Sequence, residues 1–471
     1  MRQGKITFFG GVDESGGVQI VYERGGKALL FDFGTAHHCL LDPAFLNTND
    51  PVRPTSGREI RQYLLGKMAP PLLELYRPEQ LQGLDADMIR TVWDGRELPE
   101  YADISIFIGH MHQDHMSLLP FARQGIPVYM HRDAYSLYRG IVFSGQYPDT
   151  AASLIPCDDL TVLDFGEFSV QIVEMDHNTT GTSAIIIESP EHKIAVTGDW
   201  RRHGRHPERI DRFIELCRRK GIDILLTEGT RVGKGASQNS RKEAKSLSMF
   251  STVLDESEGL VYIQTAPRDL ERMADLIQIA SDKGRKIAMD GSVAAIWHTA
   301  CREGVAALEN HPALAASLQI IEGTIPNGVQ LPYETMLLED VAKKQDEYVY
   351  VIRYPNLGHL IELETIGGKR GTSHYIQADN SVSLDHPKLA QYLRTFGITG
   401  HAIGNKGHAA PDEIAELIEQ IAPKMVIPVH TLHREQLDTR GVKAYFPERG
   451  ESLSIPELLA AAVAKEGGVV S

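Results

Sequence analysis

The chain has 471 residues, 42% hydrophobic and 24% charged, proportions that exclude disordered, collagenous and coiled-coil classes. At this length two or three domains are expected rather than one core. The formal net charge is −15, from 48 Lys and Arg against 63 Asp and Glu, which excludes a surface generally built to coat nucleic acid but leaves room for a local basic groove.

The N-terminus, MRQGKITFFGG, runs straight into a strand-like stretch and lacks the apolar core of a signal peptide. No stretch approaches the roughly 18 to 20 apolar residues of a membrane span. Cys39, Cys157, Cys217 and Cys301 lie far apart without a CxxC and read as free thiols of a reducing compartment. A cytoplasmic protein is expected.

KITFFGG, GVQIVYE and KALLFDFG read as strands punctuated by glycines. Residues 36–100 follow as a proline-rich insertion with helix-like patches such as SGREIRQYLLGKM. They are too long for a plain loop and are placed to lie over a site. Strand signals return at ISIFIGH, VYMH, FSVQIVEMD, TSAIIIES and KIAVTGD, and PERIDRFIELCRRKG reads as a helix with Pro207 near its start and Gly221 at its end. From about residue 222 strands and helices alternate through DILLTEGT, RKEAKSLSMFSTVLDES, GLVYIQTA, RDLERMADLIQIASDKG and KIAMDGS, which predicts a parallel wound sheet. APDEIAELIEQIAPKMVIPVHT supplies one more helix and strand, and no repeat of fixed period is present.

The strongest chemical signal is His110-Met-His112-Gln-Asp114-His115, directly after the apolar run ISIFIG. Three imidazoles and a carboxylate within six residues at a strand end suit a metal, and a mixed His/carboxylate set suits a catalytic zinc with an open position. His177 and Asp199 each follow a strand, and His430 follows the apolar run MVIPV. Singly each reads as a turn residue. Together they complete a count in which His110, His112 and His177 hold one metal while Asp114, His115 and His430 hold a second, with Asp199 bridging. Other candidates are weaker. The run Trp200-Arg-Arg-His203-Gly-Arg-His206-Pro reads equally well as a basic wall for phosphates or as a solvated loop, Lys234 sits in no complete GxxxxGK[ST], His37 and His38 read as insertion-loop residues, and His401 lacks the spacing to His430 that His408 has.

On these motifs the chain resembles the metallo-β-lactamase superfamily, within it the β-CASP nucleases, and among those the ribonuclease J-like branch. The superfamily's HxHxDH is intact at His110 to His115, its third-motif His matches His177, and its TGD matches Thr197-Gly198-Asp199. The β-CASP acidic motif matches Glu228, GHA matches Gly407-His408-Ala409, and the final PVH matches Pro428-Val429-His430. The resemblance covers nearly the whole chain, with the motifs in the family's order.

It implies an α/β fold, a four-layer αββα metallo-β-lactamase domain at 1–232 that contains the 36–100 insertion. A β-CASP domain would be inserted at 233–375, and the first domain completed by 376–471. It further implies two Zn2+, with Mn2+ as the alternative, and a hydroxide attacking the phosphorus of single-stranded RNA, by 5′-exonuclease action, endonuclease action or both. His430 at the last ligand position points to RNA rather than DNA. Asp114 would coordinate and orient the nucleophile, Glu228 would hold a ligand such as His115 in its tautomer, and His408 would contact the scissile phosphate or protonate the leaving oxygen. The serines that flank GHA in the ribonuclease J pattern are Lys406 and Ala410 here, so Lys406 would supply a point charge, and Arg201 would add another beside the metals. About forty residues follow His430, with no counterpart of the family's C-terminal domain, which leaves a homodimer as an open expectation; no membrane partner is expected. Two alternatives remain at this stage. One is a hydrolase of a small phosphoester, thioester or lactam, which the inserted domain disfavours; the other is a catalytically weak RNA-processing subunit, which the intact ligand set disfavours.

Overall fold

The computed structural model describes residues 3–43, 52–233, 240–308, 317–368, 371–379 and 382–464; Lys234 lies outside the described residues. Three seven-stranded sheets organise the chain. The first has the order Glu451–Ser454, Lys5–Gly10, Gln19–Arg24, Lys27–Phe31, Asp103–Ile108, Pro127–His131, Ser153–Cys157. The second runs Lys443–Ala444, Met425–Val429, Ile224–Glu228, Lys193–Val196, Ser183–Glu188, Ser169–Glu174, Val162–Asp164.

Period-2 alternation in these strands decides the layers, because successive side chains point to opposite faces. Ile6, Phe8, Leu29, Phe31 and Phe107 of the first sheet meet Ile172, Ile185, Ile187, Ile194, Val196, Leu226 and Ile427 of the second in one apolar layer. The opposite face of the second sheet, with Ala184, Ile186, Ala195 and Leu225, is covered by helices Pro207–Lys220 and Pro411–Ile421. The first of these begins with Pro207 and ends at Gly221, whose φ of 70° allows the left-handed turn that stops it. On the outer face of the first sheet the 36–100 segment forms short helices, among them Glu59–Leu65 and Ala86–Val92. It buries Ile60, Tyr63, Leu64, Ile89 and Trp93 against Ile104, Ile106 and Ile108. The insertion is therefore part of the outer helical layer, and the four-layer αββα arrangement is complete.

The third sheet is parallel throughout, in the order Glu334–Met336, Leu318–Ile321, Lys286–Met289, Tyr348–Val351, Val261–Gln264, His374–Gln377, Thr399–Ala402. It is the wound sheet expected after residue 222. Its last two strands extend past residue 375, where the inserted unit was expected to end. The edge strand Thr399–Ala402 has the sequence Thr-Gly-His-Ala and is largely exposed, so no apolar run announces it. The chain returns to the second sheet only at Met425–Val429.

Several contacts tie the third-sheet region to the rest. Helix Arg132–Phe143 lies against helix Gly291–Glu303, and Gly140 permits the approach, since a Cβ there would sit 3.1 Å from the Cα of Ile296. In the loop that follows Ser169–Glu174, Thr180 N–H donates to the carbonyl of Arg268 at 3.1 Å and Thr180 Oγ1 accepts from Leu270 N–H at 3.2 Å.

Candidate metal centre

Six strands of the first two sheets deliver polar residues at or just beyond their C-terminal ends. Asp32 follows Lys27–Phe31, His110 follows Asp103–Ile108, His177 follows Ser169–Glu174, Asp199 follows Lys193–Val196, Glu228 closes Ile224–Glu228, and His430 follows Met425–Val429. A single helical turn, Gln113–Met116, begins at His112 and turns Asp114 and His115 inward. Asp32 and His430 both adopt left-handed backbone, with φ of 61° and 54°, unusual for residues with a Cβ and typical of positions where a site dictates conformation.

The donors form two groups around one carboxylate. His110 Nε2 and His177 Nε2 lie 3.0 and 3.2 Å from His112 Nδ1. Asp114 Oδ2 lies 3.2 Å from His115 Nε2 and 3.1 Å from His430 Nε2. Between the groups sits Asp199 Oδ2, 3.3 Å from His115 Nε2, 3.7 Å from both His110 Nε2 and His430 Nε2, and 3.8 Å from His177 Nε2.

Hydrogen bonds on the far side of the rings fix what faces inward. His177 Nδ1 is 2.8 Å from the Gly407 carbonyl and His115 Nδ1 is 2.6 Å from Asp32 Oδ2. Both partners only accept, so each Nδ1 carries a proton and Nε2 is the nitrogen left to present a lone pair to a cation. His430 Nδ1 is 2.7 Å from Thr230 Oγ1, whose own hydroxyl donates to the His430 carbonyl, giving the same outcome. Lone pairs thus face lone pairs and carboxylate oxygens in a buried space, and His115 Nε2 and Asp199 Oδ2 have no hydrogen-bond partner at all. Such an arrangement is costly without a cation and well matched to one. The residues fit a metal on this chemistry: His110, His112, His177 and Asp199 form one set of mutually close donors, and His115, Asp199 and His430 another.

The electrostatics separate the two groups. Burial, reinforced by neighbouring imidazoles, pushes His110 and His177 well down, and burial pushes His112 down to about 3, so all three are neutral. Burial also opposes charge on His115 and His430, but there the carboxylates win: Asp114, Asp199 and Asp32 push His115 well up, and Asp199 with Asp114 lifts His430 to about 9. The second group therefore draws positive charge to itself.

No family model matches the chain. Among curated proteins it is 22% identical over 456 residues to ribonuclease J of Pyrococcus abyssi, covering 90% of this chain and 89% of that protein. It is 21% identical over 352 residues to ribonuclease J of Mycoplasma genitalium, where 69% of this chain matches 57% of the relative. With ribonuclease J 1 of Streptococcus pyogenes the figures are 25% over 361 residues, 72% and 61%. The chain thus spans less than two thirds of these bacterial relatives. By these comparisons the chain is similar, over up to 90% of its length, to proteins named ribonuclease J. Its fold also matches a crystal structure of a protein of unknown function from Enterococcus faecalis V583, with a TM-score of 0.74, 21% identity, and coverage of 96% of this chain and all of that one.

One expected role changes hands. Glu228 does not hold His115. Its carboxylate accepts from His408 Nδ1 at 3.0 and 3.1 Å and from the N–H groups of Trp200 and Thr230, while Asp32, which lies in none of the motifs, holds His115 and also accepts from Gly109 N–H at 2.7 Å. The signal for Asp32 was an acid directly at the end of the strand KALLFDFG, the same signature as Asp199 after KIAVTG. His408 is 22% exposed, its Nδ1 lies 3.6 Å from Asp199, and although burial opposes the charge, Glu228 and Asp199 raise its pKa.

Arg201 is not at a substrate surface. It is 2% exposed, donates to Asp176 at 2.6 Å and Asn405 at 3.0 Å, and lies 3.9 Å from Glu243 and Asp269. Its donors are consumed by acceptors from four segments, so it cannot reach a phosphate. The rest of the basic run is likewise paired: Arg202 with Asp211 and Glu416, His203 with Glu413, Arg205 with Asp275, and His206 with Glu271 and Glu208. Lys406 is exposed, and its carbonyl accepts from His203 Nε2 at 2.9 Å. His401 pairs with His374 on the third sheet, at 2.8 Å. Thr179, whose Oγ1 is 2.6 Å from His112 Nε2, and Thr230 complete the residues around the ligands that carried no local signal.

Proposed function

We propose that this chain is a metal-dependent nuclease that hydrolyses phosphodiester bonds of single-stranded RNA. The observation that carries the reading is the convergence of inward-facing imidazole lone pairs and an unpartnered carboxylate oxygen, Asp199 Oδ2, at the ends of two sheets. The relatives named ribonuclease J support RNA as the substrate. His110, His112 and His177 would hold one divalent cation, Asp114, His115 and His430 a second, and Asp199 would serve both, with zinc as the expected metal and manganese as the alternative. A pair of such cations lowers the pKa of a bound water, so that hydroxide is available at neutral pH.

The protein's own groups do the rest. Asp32, Thr230 and the Gly407 carbonyl fix the tautomers of His115, His430 and His177. Glu228 fixes His408 through Nδ1, leaving Nε2 as the atom that contacts a phosphate oxygen or returns a proton to the leaving oxygen. Lys406 offers an exposed positive charge beside His408. The domain reading belongs to the same proposal: a metallo-β-lactamase unit carrying the first two sheets and a β-CASP unit carrying the third.

The test is cleavage of 5′-monophosphorylated single-stranded RNA by purified protein, with Asp114→Ala and His115→Ala as folded controls that lose it. Wild-type protein that leaves such RNA intact while rapidly hydrolysing a small chromogenic phosphodiester would replace the nuclease reading with a small-substrate hydrolase.

A further inference from the structure

His37 opens the 36–100 segment, and sequence reading placed it in a loop of no particular role. The structure gives it a fixed backbone. Its N–H donates to the Ser15 carbonyl at 3.0 Å, Ala36 makes an isolated antiparallel bridge to Gly16, and Cys39 N–H donates to the Ala36 carbonyl at 3.4 Å. The turn at Gly16–Gly17 lies so close that a Cβ on Gly17 would come within 2.5 Å of Ala36 N, and one on Gly16 within 2.5 Å of Asp114 Oδ2. This stretch is thus pinned directly above Asp114.

From that position His37 Nε2 comes within 3.2 Å of Asp114 Oδ2. His115 and His430 approach the same oxygen at 3.2 and 3.1 Å, so three imidazole nitrogens surround one carboxylate oxygen. The His37 and His430 rings are 6.3 Å apart, edge to face, and His37 Nε2, a carboxylate oxygen of Asp114 and a ring nitrogen of His430 form a third set of mutually close donors. A half-exposed His–Asp pair alone contributes little to stability, which gives no reason to pin the backbone for it. A donor completing a cation site gives such a reason.

We propose that His37 is a further ligand of the cation shared by Asp114 and His430; this rests on the dinuclear reading above. The ring is 51% exposed, unlike the buried His115 and His430, so this ligand stands on the solvent side of the site, where substrate must enter, and is the exchangeable member of the set.

The test reads metal binding rather than turnover. Wild-type and His37→Ala proteins, stripped with a chelator, are titrated with Zn2+ against a chromophoric competitor, and Co2+ absorption spectra are recorded for each. The expected result is two equivalents in both proteins, the tighter unchanged and one weakened about tenfold to a hundredfold in His37→Ala. The Co2+ spectrum should change for that equivalent only, with the melting temperature of the stripped protein unaltered. Two equivalents with wild-type affinity and spectra in His37→Ala would overturn the proposal and leave the dinuclear reading standing. Fewer than two equivalents in wild type would overturn both.

Discussion

Replacing Asp32 with Asn separates a group that serves the metal from one that serves the fold. Asp32 is fully buried and makes two contacts, accepting from Gly109 N–H at 2.7 Å and from His115 Nδ1 at 2.6 Å. In Asp32→Asn the amide oxygen can keep the Gly109 contact, which turns the NH2 group toward His115. An NH2 facing Nδ1 reverses the tautomer, and the proton then sits on Nε2, where the lone pair for the metal was. The loss expected for such a partner is about 10- to 100-fold in metal affinity, or about 1.4–2.7 kcal/mol. The stripped protein behaves differently. Burial raises the pKa of Asp32, with His115 opposing, so at neutral pH its ionised form costs stability. With the folded pKa above the unfolded one, its favourable contribution is present below the unfolded value and lost as pH rises through the folded value. Asp32→Asn should therefore melt no lower than wild type without metal, and gain about 1.4–2.7 kcal/mol less stabilisation on saturation with Zn2+. The assay is thermal unfolding with and without Zn2+, alongside competitive metal titration. Wild-type metal affinity in Asp32→Asn would refute the tautomer argument.

Three further outcomes are expected. Arg201→Ala strands Asp176 and its neighbours in a buried network and should destabilise the protein by about 3–5 kcal/mol in denaturant unfolding, whereas a mere rise in KM at full stability would restore a substrate-facing role. Glu243 is raised by burial but held down to about 2 by Arg272, against an ordinary value of 4.5. It should contribute about 3 kcal/mol above pH 4.5, lost as pH falls from 4.5 toward 2, and Glu243→Gln should flatten that acid limb in unfolding measured against pH. His408→Ala should lower kcat by about 10²- to 10⁴-fold while retaining both metal equivalents by elemental analysis; loss of metal would make His408 a ligand instead.

Much of the site could be read from the chain because its ligands follow apolar strand runs, where a buried strand must end and a polar residue is conspicuous. His110 to His115 announce themselves by density, and His177, Asp199 and His430 by position. Asp32 shares that strand-end position, but its role does not show, and Thr230 gives no signal at all, since each acts on a histidine 83 or 200 residues away and only the folded sheets bring the pairs together. The misplacement of Arg201 has the converse cause. A run of basic residues beside a ligand reveals its charge but not Asp176, Asn405 and Glu243, which absorb it from distant segments. The helical part of the 36–100 stretch did not show its packing, because its prolines and polar patches hide the spacing of Ile60, Tyr63, Leu64, Ile89 and Trp93, which the first sheet buries. All four cysteines are free thiols, and no helix among the described residues is long and apolar enough to cross a membrane.

The central claim is that two divalent cations occupy the space around Asp199 Oδ2. Elemental analysis of protein purified without chelator, then dialysed against trace Zn2+ and Mn2+, tests it most directly. The account predicts two equivalents per chain, falling to one in His430→Ala and regained in neither metal. Fewer than two equivalents in the wild-type protein would contradict it.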